Sequence, residues 1–298
     1  MTTRLTTPTR GSTRASKKAK RRRIAQASGY YVFGGGLAVM FAVPIVWSVL
    51  RSLQSKEVAR KGLSWSTLGD LTIQNYLRLR GAGAGFHNYA MNSFVVALAT
   101  TVGSVIIATM AGYALARTNF PGRNIVFVAI LVPFMVPFQG ILVPLFSVLD
   151  ALQLTNSLVG LIIVYLTFQM PFSVFVMRNT FLAVPTELEE AALIDGASTF
   201  QIMRRIFFPL VLPGIATVAL YAFLYGWSEF LAALIYINTD RKLTLPVALA
   251  NLQTSAYGEI DLGLLEAGAV FSMIPCLVLF LFLQRYYLRG LAAGSMKF

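Results

Sequence analysis

Few side chains in this 298-residue chain are of the kinds that do covalent chemistry, and those few stand alone. His87 is the single histidine and Cys276 the single cysteine. That removes an intramolecular disulfide, a cysteine zinc cluster, a histidine metal site and a Ser-His-Asp triad. The chain has no G-x-S-x-G, no H-E-x-x-H and no paired acids inside an apolar run, and it has no G-x-x-x-x-G-K-[ST] phosphate loop. No catalytic residue and no metal ligand are assigned. Cys276 lies in an apolar run and reads as a packing thiol; His87 reads as a surface or interfacial residue. One acid, Glu229, falls within an apolar run, where an acid marks a function by default. It follows Pro209 by 20 residues, about 30 Å of helix, which places it near one membrane surface. There, solvation or a hydrogen bond between helices is an equally good reading.

The elements that must position such residues are written in the composition. The chain is 56% hydrophobic and 12% charged, with a mean hydropathy of +0.68. Soluble domains carry about 25% charged residues. Apolar runs of about the 20 residues that a membrane span needs fall at 25–50, 89–116, 124–149, 157–177, 209–235 and 267–284. The expected fold is an all-α membrane protein with six transmembrane helices over residues 24–298. Residues 1–23 hold nine of the 25 basic residues and none of the 12 acids. A basic tail can bind nucleic acid, but this one runs straight into the first span. It reads as a disordered cytoplasmic tail that sets orientation by the positive-inside rule, with a lipid membrane and no nucleic acid as partner. Both termini are then cytoplasmic, and so are the 2–3 and 4–5 loops, with Arg117, Arg123, Arg178, Arg204 and Arg205. Residues 51–88, expected outside, go against the rule with six basic residues and two acids. The third run, "LVPFMVPFQGILVPLF", carries Pro133, Pro137, Gly140 and Pro144. Each proline removes a backbone donor, and in lipid the freed groups need partners. A kinked helix facing other helices or a cavity is expected, with Pro137 and Gly140 as candidate pathway residues.

Between the fourth and fifth runs lies the most charged interior segment, "PTELEEAALIDGASTFQIMRRIFFP". Thr186 with Glu189, and Ser198 with Gln201, have the spacing of capping boxes. Gly196 suits the left-handed residue that ends a helix. Two short helices with a glycine corner are expected, over about 187–194 and 199–208, with Pro209 opening the next span. Phe200, Met203 and Phe207 would anchor the pair in a groove of a partner protein; an amphipathic interfacial loop is the plainer reading.

This segment resembles the EAA loop of bacterial ABC-importer permeases: E-A-A, three residues, G, nine residues, then I-x-L-P. Glu190, Ala191, Ala192, Gly196, Ile206 and Pro209 fall in place, with Phe208 where the pattern has Leu. "NSFVVALATT", "AGYALARTNFPGR", "VPLF" and "LFLQRYYLRGLAAGSMKF" extend the resemblance to the carbohydrate-uptake permeases of the maltose type. "WSEF", Trp227 to Phe230, stands where that family often has W-N-E-F. The resemblance implies a coupling helix pair at about 186–208, including Asp195, seated on a cytoplasmic ATPase. It implies a second homologous permease subunit, two ATPase subunits that bind ATP and Mg (no cofactor in this chain) and an extracytoplasmic solute-binding protein. It implies a bacterial inner-membrane location and a sugar or oligosaccharide substrate, with glycerol-phosphate-type solutes as the alternative. Met296, Lys297 and Phe298 would reach toward the ATPase pair. Trp227 and Glu229 join the candidate pathway, where Tyr221, Tyr225 and Phe230 could stack on a sugar face. An ion-coupled secondary carrier is less favoured, since such carriers show internal repeats and mid-membrane acids that this chain lacks.

Overall fold

The computed structural model describes residues 12–61, 71–254 and 261–295. These are helical, with no strand among the described residues; an isolated bridge joins Gln54 and Leu71. The first helix, α1, runs over Ser12–Ser52, followed by α2, Lys56–Lys61, and α3, Gln74–Leu79. The tail expected to be disordered is thus helical from Ser12 to Arg23. No proline or glycine interrupts Thr13 to Ser28, and Ala, Lys and Arg are good helix formers. Residues 1–11 lie outside the described residues.

Three long helices make the centre of the bundle: α4 (Phe86–Arg117), α7 (Leu158–Leu182) and α10 (Phe208–Ser228). Between α4 and α7 come α5 (Arg123–Leu131) and α6 (Phe138–Ala151). In lipid, helices associate by close packing of small residues rather than by expelling water, and glycines set the approach here. A Cβ on Gly112 would sit 2.6 Å from Met177 Cβ, and one on Gly226 would sit 2.9 Å from Ala97 Cα. The first contact joins α4 to α7, the second α10 to α4.

The third apolar run is not one kinked helix. It is a pair of segments, Arg123–Met135 and Phe138–Ala151, bent by 104°. Pro133 and Pro137 remove two donors one turn apart, and Val136, which precedes a proline, is extended at φ −94°, ψ 122°. The fifth run also differs. Its helix spans Thr199–Ser228, passing through Pro209 and stopping at Glu229, seven residues short of the expected end. The π turn Met203–Phe207 absorbs the donor that Pro209 lacks. Beyond the break lie α11, Leu231–Tyr236, then α12, Leu245–Thr254, and α13, Leu262–Ser295. Among the described residues five helices are long and apolar enough to cross a membrane, and the bent pair makes a sixth crossing if it is one span.

Two apolar cores stack along the bundle. One holds Leu115, Met177, Phe181, Ala192, Ile202 and Phe207 at the end bearing the glycine corner. The other holds Tyr89, Leu142, Tyr165, Trp227, Tyr236 and Leu245 at the opposite end.

Candidate functional site: the glycine corner at the base of α10

The charged segment folds as α8, Thr186–Ile194, a corner, then α9, Thr199–Ile202, which continues through the π turn into α10. Gly196 stands at φ +77° with nothing within 4 Å of an added Cβ. The corner therefore needs glycine for its backbone while its outer side is open space. Ser198 and Gln201 form the expected capping box: the Gln201 amide donates to Ser198 Oγ at 3.3 Å, and the Ser198 amide donates to Gln201 Oε1 at 2.8 Å. The Thr186 box does not form. Pro185 occupies the cap, with no side-chain hydrogen bond, and Glu189 turns away from the backbone toward Arg117 and Tyr113.

Of the motif residues, Glu190, Ala191 and Asp195 are exposed, Ile206 is half-buried, and Pro209 is exposed in the first turn of α10. Ala192 is buried, and its small side chain lets α8 lie against the bundle. Ile194 is 86% exposed and Phe200 73% exposed, one on each side of Gly196. Phe207, expected as an outward anchor, is fully buried. It packs edge-on against Tyr113 and Phe181, at 5.6 Å to each ring. The π turn inserts an extra residue into the winding, so Phe207 leaves the face that Phe200 occupies. The apolar side chains exposed around the corner are Leu188, Leu193, Ile194 and Phe200.

The sequence presents Arg117 only as a charge that orients the chain, and the structure gives it a larger part. It lies in the last turn of α4, and its Nη2 donates to Phe181 O at 2.6 Å and to Val184 O. Its Nη1 lies 3.7 Å from Glu189 Oε2, and its guanidinium stands 5.1 Å from the Phe207 ring centroid. Nothing local in the sequence announces these partners, which are up to 90 positions away.

The candidate pathway residues do not come together. Trp227 is buried; its Nε1 donates to Ser272 O of α13 at 3.0 Å, and its ring stacks on Phe223. Glu229 turns instead to α7, where Tyr165 Oη donates to its Oε2 at 2.6 Å. It also accepts the amides of Leu231 and Ala232, at 2.8 and 3.0 Å to Oε1. Glu229 thus caps α11, which explains the break in the fifth run. Tyr225 packs edge-on against Tyr165. Pro137 caps α6 in an extended conformation, and Gly140 lies in the first turn of α6; both are exposed. Cys276 is half-buried beside Trp227 in an apolar groove of about 480 Å³. His87 is exposed. Met296, Lys297 and Phe298 lie outside the described residues. No cluster of three or more metal-ligating side chains exists among the described residues.

Among the described residues the fold is a bundle of five or six candidate membrane spans with a capped glycine corner at the base of α10. The model of the family of binding-protein-dependent transport system inner membrane components matches residues 104–292, and the chain belongs to that family. It is an integral membrane component of transport that depends on a binding protein. The chain is 35% identical to the trehalose transport system permease protein SugB of Mycobacterium tuberculosis, over 92% of this chain and 99% of that one. It is 35% identical to the arabinooligosaccharides transport system permease protein AraQ of Bacillus subtilis, over 88% and 92%. In three dimensions it is similar to a chain of a bacterial ABC transporter involved in the import of the acidic polysaccharide alginate. The TM-score is 0.75 at 22% identity, over 94% of this chain and 100% of that chain.

Proposed function

We propose that the chain is the permease subunit of an ATP-driven importer for a sugar or oligosaccharide. The observation that carries this is the corner itself: a rigidly capped turn with Ile194 and Phe200 held out on either side of Gly196. Apolar side chains displayed on a fixed turn fit a groove on a partner protein. The partner we assign to this turn is a cytoplasmic ATPase, with ATP and Mg bound there and no cofactor in this chain. The arginines at this end, Arg117, Arg123, Arg178, Arg204 and Arg205, support a cytoplasmic location for the corner and for both termini. The apolar flank of α1, with Tyr30, Tyr31, Phe33 and Phe41 exposed, and the uncovered bend at Pro137 support assembly with a second permease that shares the pathway.

Trehalose and arabinooligosaccharides, named for two relatives, support the substrate class. A non-sugar solute is the second reading; the 38% identity over 74% of the chain to the osmoprotective compounds uptake permease protein GgtD of Synechocystis keeps the solute class wider than the two names above. Gentle-detergent purification from the native membrane, with mass spectrometry, tests the assembly. An ATPase, a second permease and a solute-binding protein should co-purify, and the binding protein then reports the solute. Recovery of this chain alone under several gentle conditions would favour a secondary carrier.

A further inference from the structure

One buried cation, Arg117, links the corner to the bundle beside the buried Ala192, Ile202 and Phe207. Arg117 is only 4% exposed, and its contacts divide into a tight side and a loose side. On the tight side, Nη2 bridges Phe181 O at 2.6 Å and Val184 O. These carbonyls belong to the last turn of α7 and the link to α8, where a helix leaves acceptors in excess and a cation is favoured. On the loose side is Glu189 of α8, whose Oε2 is 3.7 Å from Arg117 and whose Oε1 is 3.4 Å from Tyr113 Oη. Both distances lie at or beyond the outer edge of hydrogen-bond reach. Only Ala192 of α8 is buried, so little else fastens α8 to the bundle. Phe207, at the root of α10, lies against the same guanidinium.

We propose that Arg117 is a positioning residue for energy coupling. It fastens the ends of α4 and α7 into one body, and its loose contact with Glu189 is the joint through which a displacement of α8 reaches that body. The joint can tighten when α8 is pressed inward, because the Glu189 carboxylate has a cation and a phenol in front of it and no bond yet made at full strength. The inference rests on the ATPase-driven reading above.

The test uses the whole transporter in proteoliposomes, with solute uptake measured per ATP hydrolysed. Glu189→Gln keeps size and removes charge. Uptake per ATP should fall about tenfold, within the range of coupling between sites, while the ATPase stays bound and hydrolysis continues. Arg117→Lys keeps the charge but lacks the planar fork, and it should uncouple similarly. The double variant should fall no further than the worse single one, as expected for two halves of one contact. Should Arg117→Lys fail to fold, Glu189→Gln and Tyr113→Phe still decide, since neither breaks the carbonyl bridge. A merely structural role would lower assembly and leave uptake per ATP unchanged in what assembles, and that result overturns the inference alone. A wild-type chain that recovers no ATPase overturns the underlying reading and this inference with it.

Discussion

Two carboxylates sit at opposite ends of the bundle and differ in how they are held. Glu229 meets strong donors on every side: the Tyr165 hydroxyl at 2.6 Å and the amides of Leu231 and Ala232 at 2.8 and 3.0 Å. Glu189 has a phenol at 3.4 Å and a guanidinium at 3.7 Å. The first geometry is finished and turns a chain break into the start of α11. The second is unfinished and joins a short, mostly exposed helix to a buried cation. The contrast teaches that an acid in an apolar run can be architecture, while an acid inside a recognised loop can face inward, away from the surface that the loop presents.

Substitution at the corner should cost the most. Gly196→Asp must hold a left-handed backbone at φ +77°, which strains a residue with a side chain, and it adds a charge between Ile194 and Phe200. ATP-driven uptake should fall by more than about tenfold, with membrane insertion unchanged; uptake at the wild-type rate would remove the docking role from this turn. Next comes Glu229→Ala, which leaves the Tyr165 hydroxyl and the α11 amides without their acceptor. Thermal unfolding in detergent should show a loss of about 2–3 kcal/mol, with uptake per folded transporter little changed. A large loss of uptake in properly folded transporter would instead place Glu229 in the pathway.

The two expected capping boxes differ in the same way at smaller scale, one formed and one not. Ser198→Ala removes a formed cap and should cost about 1 kcal/mol in the same unfolding measurement. Thr186→Ala removes a side chain that caps nothing and should stay within about 0.5 kcal/mol. Equal losses from the two would mean that Glu189 belongs to the cap of α8 rather than to Arg117.

What could be read from the sequence follows the range of the interaction concerned. The spans came from hydrophobic runs, and the corner from Gly196, Ser198 and Gln201, all within six residues. The 104° bend was beyond reach. Pro133 and Pro137 announce broken hydrogen bonds, but the angle is set by packing against helices far along the chain, such as Phe138 against Phe168 and Leu142 O accepting from Tyr236. The burial of Phe207 was hidden because helical periodicity assumes 3.6 residues per turn and the π turn departs from it. The distance from Pro209 puts Glu229 near one membrane surface, but its role as a cap required knowing that the helix stops at Ser228, which no glycine or proline directly follows. Arg117 was visible only as a charge, since its partners come from α7, α8 and the root of α10.

An ATP-hydrolysing partner seated on the corner would lie against Ile194 and Phe200. The most direct measurement places a photo-crosslinking phenylalanine analogue at Ile194 in the full transporter, in its native membrane, with a second at Asn156 at the opposite end as control. Position 194 should give an adduct with a nucleotide-binding subunit, and position 156 none. Adducts from position 194 to lipid alone, with the transporter intact and active, would mean that no ATPase sits on the corner.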